Sequence, residues 1–252
     1  MRSEYSFGDS QRAAARLALL ARVFAEPSRA FLAESGLPGC ELAVDLGCGP
    51  GLTTRLLADT LGCRRTVGLD ASPAFVAQAR SHHARDLEFQ LHDASRVPFP
   101  TGPPDLAYAR LLCSHLSDPE SSVRVWRESL RPGGRLLLED VEWIRTRVPG
   151  FRRYLGLIES LLSARGHCLY VGARLAAFAD GALASRVRVH PVDPRAAAEL
   201  FSLNLGQLRE QGSLCDHLGG TELDALAAEL SALRRDGGPP ITWGLRQLAL
   251  EA

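Results

Sequence analysis

The stretch that most limits what this chain can fold into is Val44-Asp45-Leu46-Gly47-Cys48-Gly49-Pro50-Gly51, which lies between a short apolar run, Leu42 to Leu46, and a helix-like segment, Leu52 to Leu61. An apolar run that ends in glycines and restarts with helical spacing reads as strand, tight loop and helix. Glycine lets the backbone turn sharply and approach a ligand where a Cβ would stand in the way. Taken alone, the loop is compatible with a bare tight turn or with a nucleotide site.

The same unit recurs downstream. Thr66 to Leu69 is β-like and ends at Asp70, and a helix follows from Pro73 to Arg80, with Ser72 as N-cap and proline in the first turn. Leu87 to Leu91 and Leu106 to Ala109 read as strands three and four. Ser117-Asp118-Pro119-Glu120 starts a helix that runs to Leu130, and Pro132-Gly133-Gly134 turns the chain into a fifth strand, Leu136 to Leu138. Strands alternating with helices imply a parallel sheet covered on both faces, with ligands at the carboxyl ends of the strands. Two helices are expected between Asp9 and Glu34, broken at Pro27. Helices are also expected over Phe151 to Ala164, Arg174 to Leu183, Ala196 to Glu210 and Glu222 to Leu233, and strands over Val187 to Val192 and Ile241 to Leu250.

Three features narrow the reading of the loop. Asp70 ends the second strand some twenty residues past the glycines, where a carboxylate can accept hydrogen bonds from ribose hydroxyls. Asp93-Ala94 ends the third, near where an adenine amino group would lie. The loop spacing is G-x-G-x-G rather than the pyrophosphate-binding G-x-G-x-x-G, and Asp45 precedes it. An acid there repels a diphosphate and suits an ammonium group.

With these residues the chain resembles the class I S-adenosylmethionine-dependent methyltransferases over roughly Glu41 to Asp140. The resemblance includes Arg110-Leu111-Leu112-Cys113-Ser114-His115 after strand four and Leu130-Arg131-Pro132-Gly133-Gly134-Arg135 before strand five, which look most like the small-molecule branch of ubiquinone/menaquinone-pathway and secondary-metabolite enzymes. It implies an α/β, doubly wound Rossmann-like sheet of seven mostly parallel strands, with helices on both faces and a helical cap. The implied division is a helical lid (1–40), a cofactor-binding core (41–145), a cap over the acceptor pocket (146–184), and C-terminal helices with the final antiparallel strands (185–252). The implied cofactor is S-adenosyl-L-methionine. Gly47, Gly49 and Gly51 would face its amino-acid part, with Asp45 acting on the ammonium directly or through water and the Arg110 carbonyl completing that site. Asp70 would hold the ribose, Asp93 and the Ala94 amide the adenine, and Leu69, Ala71 and Leu111 would pack on the adenosine. Tyr5, Phe7 or Arg16 would close over it.

Composition removes several alternatives. All 29 basic residues are arginine, so lysine chemistry, including Schiff bases and the P-loop lysine, is excluded. The bias, with three isoleucines and one asparagine, fits a GC-rich bacterial genome. The 29 acids balance the arginines, so neither nucleic acid nor an anionic membrane is an expected partner. The six cysteines form no metal-ligand spacing, so no metal is expected, and with no apolar leader they point to the cytoplasm. The expected function is methyl transfer to a small, largely apolar acceptor in bacterial natural-product biosynthesis, with His115 as the base candidate beyond strand four. Other base or contact candidates are Glu142, Trp143, Glu159, His167 and Tyr170, while Glu139-Asp140 is expected to follow strand five as surface or capping acids. The alternatives are a cofactor-retaining cyclase or pericyclic catalyst, a nicotinamide dehydrogenase disfavoured by the loop spacing, and a noncatalytic binding protein. Homodimerisation is left open.

Overall fold

The computed structural model describes residues 9–83, 87–212 and 219–252. Seven strands form one sheet: β1 (Leu42–Leu46), β2 (Arg65–Asp70), β3 (Glu88–Leu91), β4 (Leu106–Arg110), β5 (Arg135–Thr146), β6 (Ala184–Val192) and β7 (Ile241–Glu251). Their order is β3-β2-β1-β4-β5-β7-β6, parallel from β3 to β5 and antiparallel where β7 joins β5 and β6. The order reverses between β1 and β4. A crevice therefore opens at the carboxyl ends of these two strands, where the glycine loop and the segment after Arg110 leave the sheet.

The alternation of side chains along each strand divides the core between the two faces. On one face Val44, Leu46, Ala107, Ala109, Leu136 and Leu138 pack with Trp126 of α5 (Pro119–Glu128). On the other, Ala43, Leu106, Tyr108 and Leu137 pack with Phe31 and Leu32 of α2 (Ala25–Ser35) and Leu56 and Leu57 of α3 (Leu52–Leu61). Strands buried on both faces must be apolar at nearly every position, and all five residues of β1 are buried. The helix α4 (Pro73–His83) starts as its sequence predicts, with the Ser72 hydroxyl accepting the Phe75 N–H at 3.1 Å. The helix α5 starts on Asp118, whose carboxylate accepts the Ser121 N–H at 2.9 Å.

A second apolar cluster covers the strand ends. It joins α1 (Gln11–Val23), α6 (Pro149–Ala164), α8 (Pro194–Glu210) and α9 (Gly220–Asp236), and its members include Leu20, Phe151, Tyr154, Phe201, Leu226 and Trp243. Among the described residues no helix is long and apolar enough to cross a membrane.

Three sequence expectations change. The break between the first two helices falls at Phe24, and Pro27 sits in the first turn of α2, where its missing N–H has no intrahelical partner to lose. Arg174 to Leu183 is not a helix: a single turn, α7 (Gly172–Leu175), passes into a 3-10 turn at Ala176–Phe178, and β6 begins at Ala184. Strand β5 runs to Thr146, well past Leu138, because β7 pairs with it along its whole length.

The extra length places Glu139 and Asp140 inside β5, each 1% exposed, rather than after it. Glu139 is buried but well partnered. It accepts from the Ser28 hydroxyl and, at 2.6 Å, from the amide of Gln247, which also donates to the Pro27 carbonyl at 3.1 Å. The Arg110 guanidinium donates to the same serine at 3.2 Å. This network bolts α2 to β4, β5 and β7. Because a buried carboxylate deprived of a donor bears its full desolvation cost, Gln247→Leu should lower unfolding free energy by roughly 1–3 kcal/mol, measured by urea denaturation. An unchanged midpoint would contradict the role given to the network.

Candidate functional site

The crevice widens into a cavity of about 930 Å³ bounded by the glycine loop, the ends of β2, β3 and β4, and the helical cover. That volume accommodates a nucleoside-sized ligand together with a second small molecule.

The backbone geometry of the loop explains its glycines. Gly47 and Gly49 hold φ of +68° and +53°, a left-handed conformation, and a Cβ at Gly47 would come within 2.8 Å of the Leu112 side chain. The turn directs the loop N–H groups back into the protein. Gly47 and Cys48 both donate to the Leu69 carbonyl, at 2.8 and 3.0 Å, and Gly51 donates to the Cys48 carbonyl at 3.0 Å. Gly49 donates to Asp70 Oδ2 at 2.8 Å, and Pro50 has no N–H. Every N–H from residue 47 to 51 is therefore engaged within the protein, and none remains to cradle a phosphate. After strand β4, Leu111 takes the left-handed φ of +55°, unusual for a side chain with a Cβ, and its N–H donates to the Glu139 carbonyl at 2.8 Å.

Carboxylates surround this loop. Asp70 accepts from Gly49 and, through Oδ1, from the Ser72 N–H at 2.8 Å. Burial pushes its pKa up, those two N–H bonds pull it down, and neighbouring Asp9 pushes it up again. Asp9, Asp70 and Asp93 line the cavity. Asp93 Oδ1 accepts from the Ser95 N–H at 3.0 Å, and the carbonyl of the adjoining Ala94 takes the Trp126 indole N–H at 2.6 Å, fixing that corner.

The predicted residues divide between the wall and the layer beneath it. Gly47, Gly49, Asp70, Ala71, Asp93, Ala94, Arg110, Leu111, Arg16 and His115 line the cavity. Asp45, Gly51 and Leu69 do not. Asp45 is 1% exposed, and its Oδ2 accepts from the hydroxyls of Thr53 and Thr54, both at 2.7 Å. It therefore orients Thr53, which does reach the cavity; the threonine pair directly after the glycine loop was the available signal. Leu69 contributes its carbonyl to the loop and its side chain to the core. Tyr5 and Phe7 lie outside the described residues. Glu142, Trp143, Glu159, His167 and Tyr170 do not line the cavity; Glu142 instead receives the Arg246 guanidinium at 2.6 Å.

His115 is half-buried, with Nδ1 shut off from solvent. Burial pushes its pKa down to about 3, helped by the nearby charge of Arg16 and by His167, whose ring stands edge-on at 6.5 Å. The imidazole is neutral throughout the physiological range. Over the helical cover the wall is mostly apolar, with Leu17, Leu20, Leu155, Ile158, Phe201 and Trp243, and includes Tyr154, Asn204 and Gln211. None of these was singled out from the sequence as a site residue.

A model of the methyltransferase domain matches residues 44–138, the stretch that carries the glycine loop and the acids at the strand ends. Residues 44–138 are thus similar to a methyltransferase domain. Sequence relatives match part of the chain: trans-aconitate 2-methyltransferase of Methylobacterium radiotolerans is 38% identical over 113 residues, covering 45% of this chain and 43% of that enzyme. The chain spans less than half the length of the curated relatives it matches. Solved structures share the fold over more of the chain. A candidate methyltransferase from Bacillus halodurans superposes with TM-score 0.57 at 16% identity, covering 88% of this chain and 96% of that one. The [4+2]-cyclase SpnF superposes with TM-score 0.52 at 19% identity, covering 89% and 80%. The cofactor of this methyltransferase class is S-adenosylmethionine, whose ammonium and sulfonium groups are cationic.

The buried acid beneath the domain's loop has a measurable consequence. Burial pushes Asp45 up to about 6 from 3.8, against the pull of Thr53, Thr54 and Arg110. Between pH 4 and 6 the folded protein keeps a proton that the unfolded chain has released, so Asp45 makes stability fall as pH rises through that window, by roughly 3 kcal/mol in all. Asp45→Asn should remove this component from the pH–stability curve. Thr53→Val, which deletes a donor to the carboxylate, should move the carboxyl titration seen by NMR upward. A Thr53→Val shift downward would contradict the assignment.

Proposed function

We propose that the protein is an S-adenosylmethionine-dependent methyltransferase acting on a small, largely apolar metabolite. One observation carries this reading: the loop that meets the ligand has all its N–H groups engaged and three carboxylates around it. Such a site repels a diphosphate and suits a cationic amino-acid head, which disfavours a nicotinamide dinucleotide.

In this reading Asp70, held by two N–H bonds, uses its remaining lone pairs on the ribose hydroxyls. Asp93 and the Ala94 amide meet the adenine, and Ala71 and Leu111 pack on the adenosine. Thr53, oriented by Asp45, and the Arg110 carbonyl face the amino-acid part with Gly47 and Gly49. S-Adenosylmethionine, when bound, supplies a methyl group already activated on sulfur, so the protein's task is to hold the acceptor in line and exclude water. His115, neutral at physiological pH and on the cavity wall, is placed to orient an acceptor hydroxyl. Its low basicity makes it a positioning group that receives the proton only as the acceptor acidifies on methylation.

The acceptor side supports an apolar substrate. It is built from α1, α6, α8 and β7, largely outside the residues 44–138 that match the methyltransferase domain; among the described residues these elements bring it leucine, isoleucine, phenylalanine and tryptophan with Arg16 as their one cation, where a tricarboxylate needs several. The lysine-free composition suits bacterial natural-product biosynthesis in the cytoplasm. Because the SpnF fold carries a cyclisation, a cofactor-retaining cyclase is the second reading; turnover to a product of unchanged mass would favour it.

Calorimetry tests the cofactor assignment. The protein should bind S-adenosylhomocysteine and not NADH. Asp70→Ala should weaken S-adenosylhomocysteine binding by about 10- to 100-fold, the usual effect of losing hydrogen bonds to a charged group. Tight NADH binding, or an unchanged affinity in Asp70→Ala, would overturn it.

A further inference from the structure

The apolar wall of the acceptor side carries one polar pair. Tyr154 of α6 and Asn204 of α8 both line the cavity and are 4% and 3% exposed. The Asn204 Nδ2 donates to the Tyr154 hydroxyl oxygen at 2.7 Å. The carbonyl oxygen of the same amide, Oδ1, is enclosed and has no hydrogen-bond partner among the described residues. It is also the single asparagine of the chain. Its surroundings hold it rigidly: the Tyr154 ring stacks on Phe201 at 4.1 Å and 19°, and Phe201 leans on Trp243 at 6.0 Å. A buried amide oxygen without a donor is costly, and such groups are normally satisfied by a ligand or water. Burial raises the pKa of the Tyr154 hydroxyl, against the pull of its Asn204 bond and of the Arg16 charge, so a positive charge neighbours the pair.

We propose that Asn204 Oδ1 is the specificity-determining anchor of the acceptor pocket, and that it takes a hydroxyl donor on an otherwise apolar, ring-sized molecule. This deepens the methyltransferase reading, resting on it only for which cavity is the acceptor's. The aromatic trio of Tyr154, Phe201 and Trp243 supplies the face against which the ring lies. Leu155, Ile158 and Leu200 close around it, and the asparagine fixes where the hydroxyl points. A molecule of the same shape without that donor leaves the oxygen unpaired, so discrimination comes from the cost of the unmet acceptor rather than from shape. A hydroxyl blocked as its methyl ether has lost the donor and is rejected on the same ground.

The test uses three probes on the full chain, with and without saturating S-adenosylhomocysteine: 1-naphthol, 1-methoxynaphthalene and naphthalene, with affinities from fluorescence titration. Wild type should bind 1-naphthol at least about ten-fold more tightly than the other two. In Asn204→Leu the preference should shrink to about two-fold, with naphthalene bound as well as before. Asn204→Asp, which keeps an acceptor and loses the amide donor, should retain the preference and serves if the leucine variant fails to fold. Tyr154→Phe, which leaves Oδ1 in place, should retain most of it. Equal binding of naphthol and its ether by wild type, or a full preference surviving in Asn204→Leu, would overturn the proposal. A wild type that ignores S-adenosylhomocysteine yet shows the naphthol preference would contradict the methyltransferase reading and leave the Asn204 site standing.

Discussion

The site depends on the way the glycine loop is tied to the end of β2. Two N–H groups converge on the Leu69 carbonyl and a third on the Asp70 carboxylate, and these bonds exist only because Gly47 and Gly49 take left-handed conformations. Having turned its donors inward, the loop leaves the cavity side to acceptors and acids. The same strand–glycine–helix arrangement that offers N–H groups to phosphate in dinucleotide sites is thereby converted into one that favours cations. Asp45, held by the hydroxyls of Thr53 and Thr54, adds negative charge at a depth where water screens little, and the Asp70 carboxylate both holds the loop and lines the cavity.

Around this fixed centre the protein is built to be dry. The sheet faces are filled by alternating strand side chains, the Ser28–Glu139–Gln247 network locks α2 against the sheet, and α1, α6, α8 and α9 form an apolar cover over the strand ends. Methyl transfer asks for little from side chains beyond position and exclusion of water, and such a cover supplies both. The polar groups that do reach the cover are few and adjacent: Arg16, His115, Tyr154 and Asn204. The depressed basicity of His115 follows from the same enclosure, since an apolar surround and a nearby guanidinium both oppose its protonation.

From Leu42 to Leu138 the elements were legible because each boundary carries a local device: the glycine loop, Ser72-Pro73, Asp118-Pro119 and the Pro-Gly-Gly turn. Each of these acts through neighbours in sequence. The misread parts depend on partners far away. Strand β5 looked finished at Leu138 because Glu139 and Asp140 read as surface acids, whereas the donors that let Glu139 be buried come from Ser28 and Gln247, 111 and 108 positions distant. Arg174 to Leu183 has helical composition, yet Leu183 is captured by a backbone bond to Ala249 at 2.9 Å, which starts β6 and ends any helix. Most of the residues expected on the cofactor side line the cavity: Gly47, Gly49, Asp70, Ala71, Asp93, Ala94, Arg110 and Leu111. Asp45 lies one layer beneath the cavity wall, its carboxylate turned to the hydroxyls of Thr53 and Thr54, and strand alternation alone does not show that it reaches the cavity only through Thr53. The Tyr154–Asn204 pair, fifty positions apart on two helices, has no local signature at all.

Selection by this loop for a positively charged amino-acid head is measured by comparing, by calorimetry on the wild-type protein, S-adenosylhomocysteine with its analogue lacking the α-amino group. Removing the ammonium should weaken binding by at least about ten-fold, the loss expected for a charged hydrogen-bonded group. Equal affinity for the two compounds would contradict it.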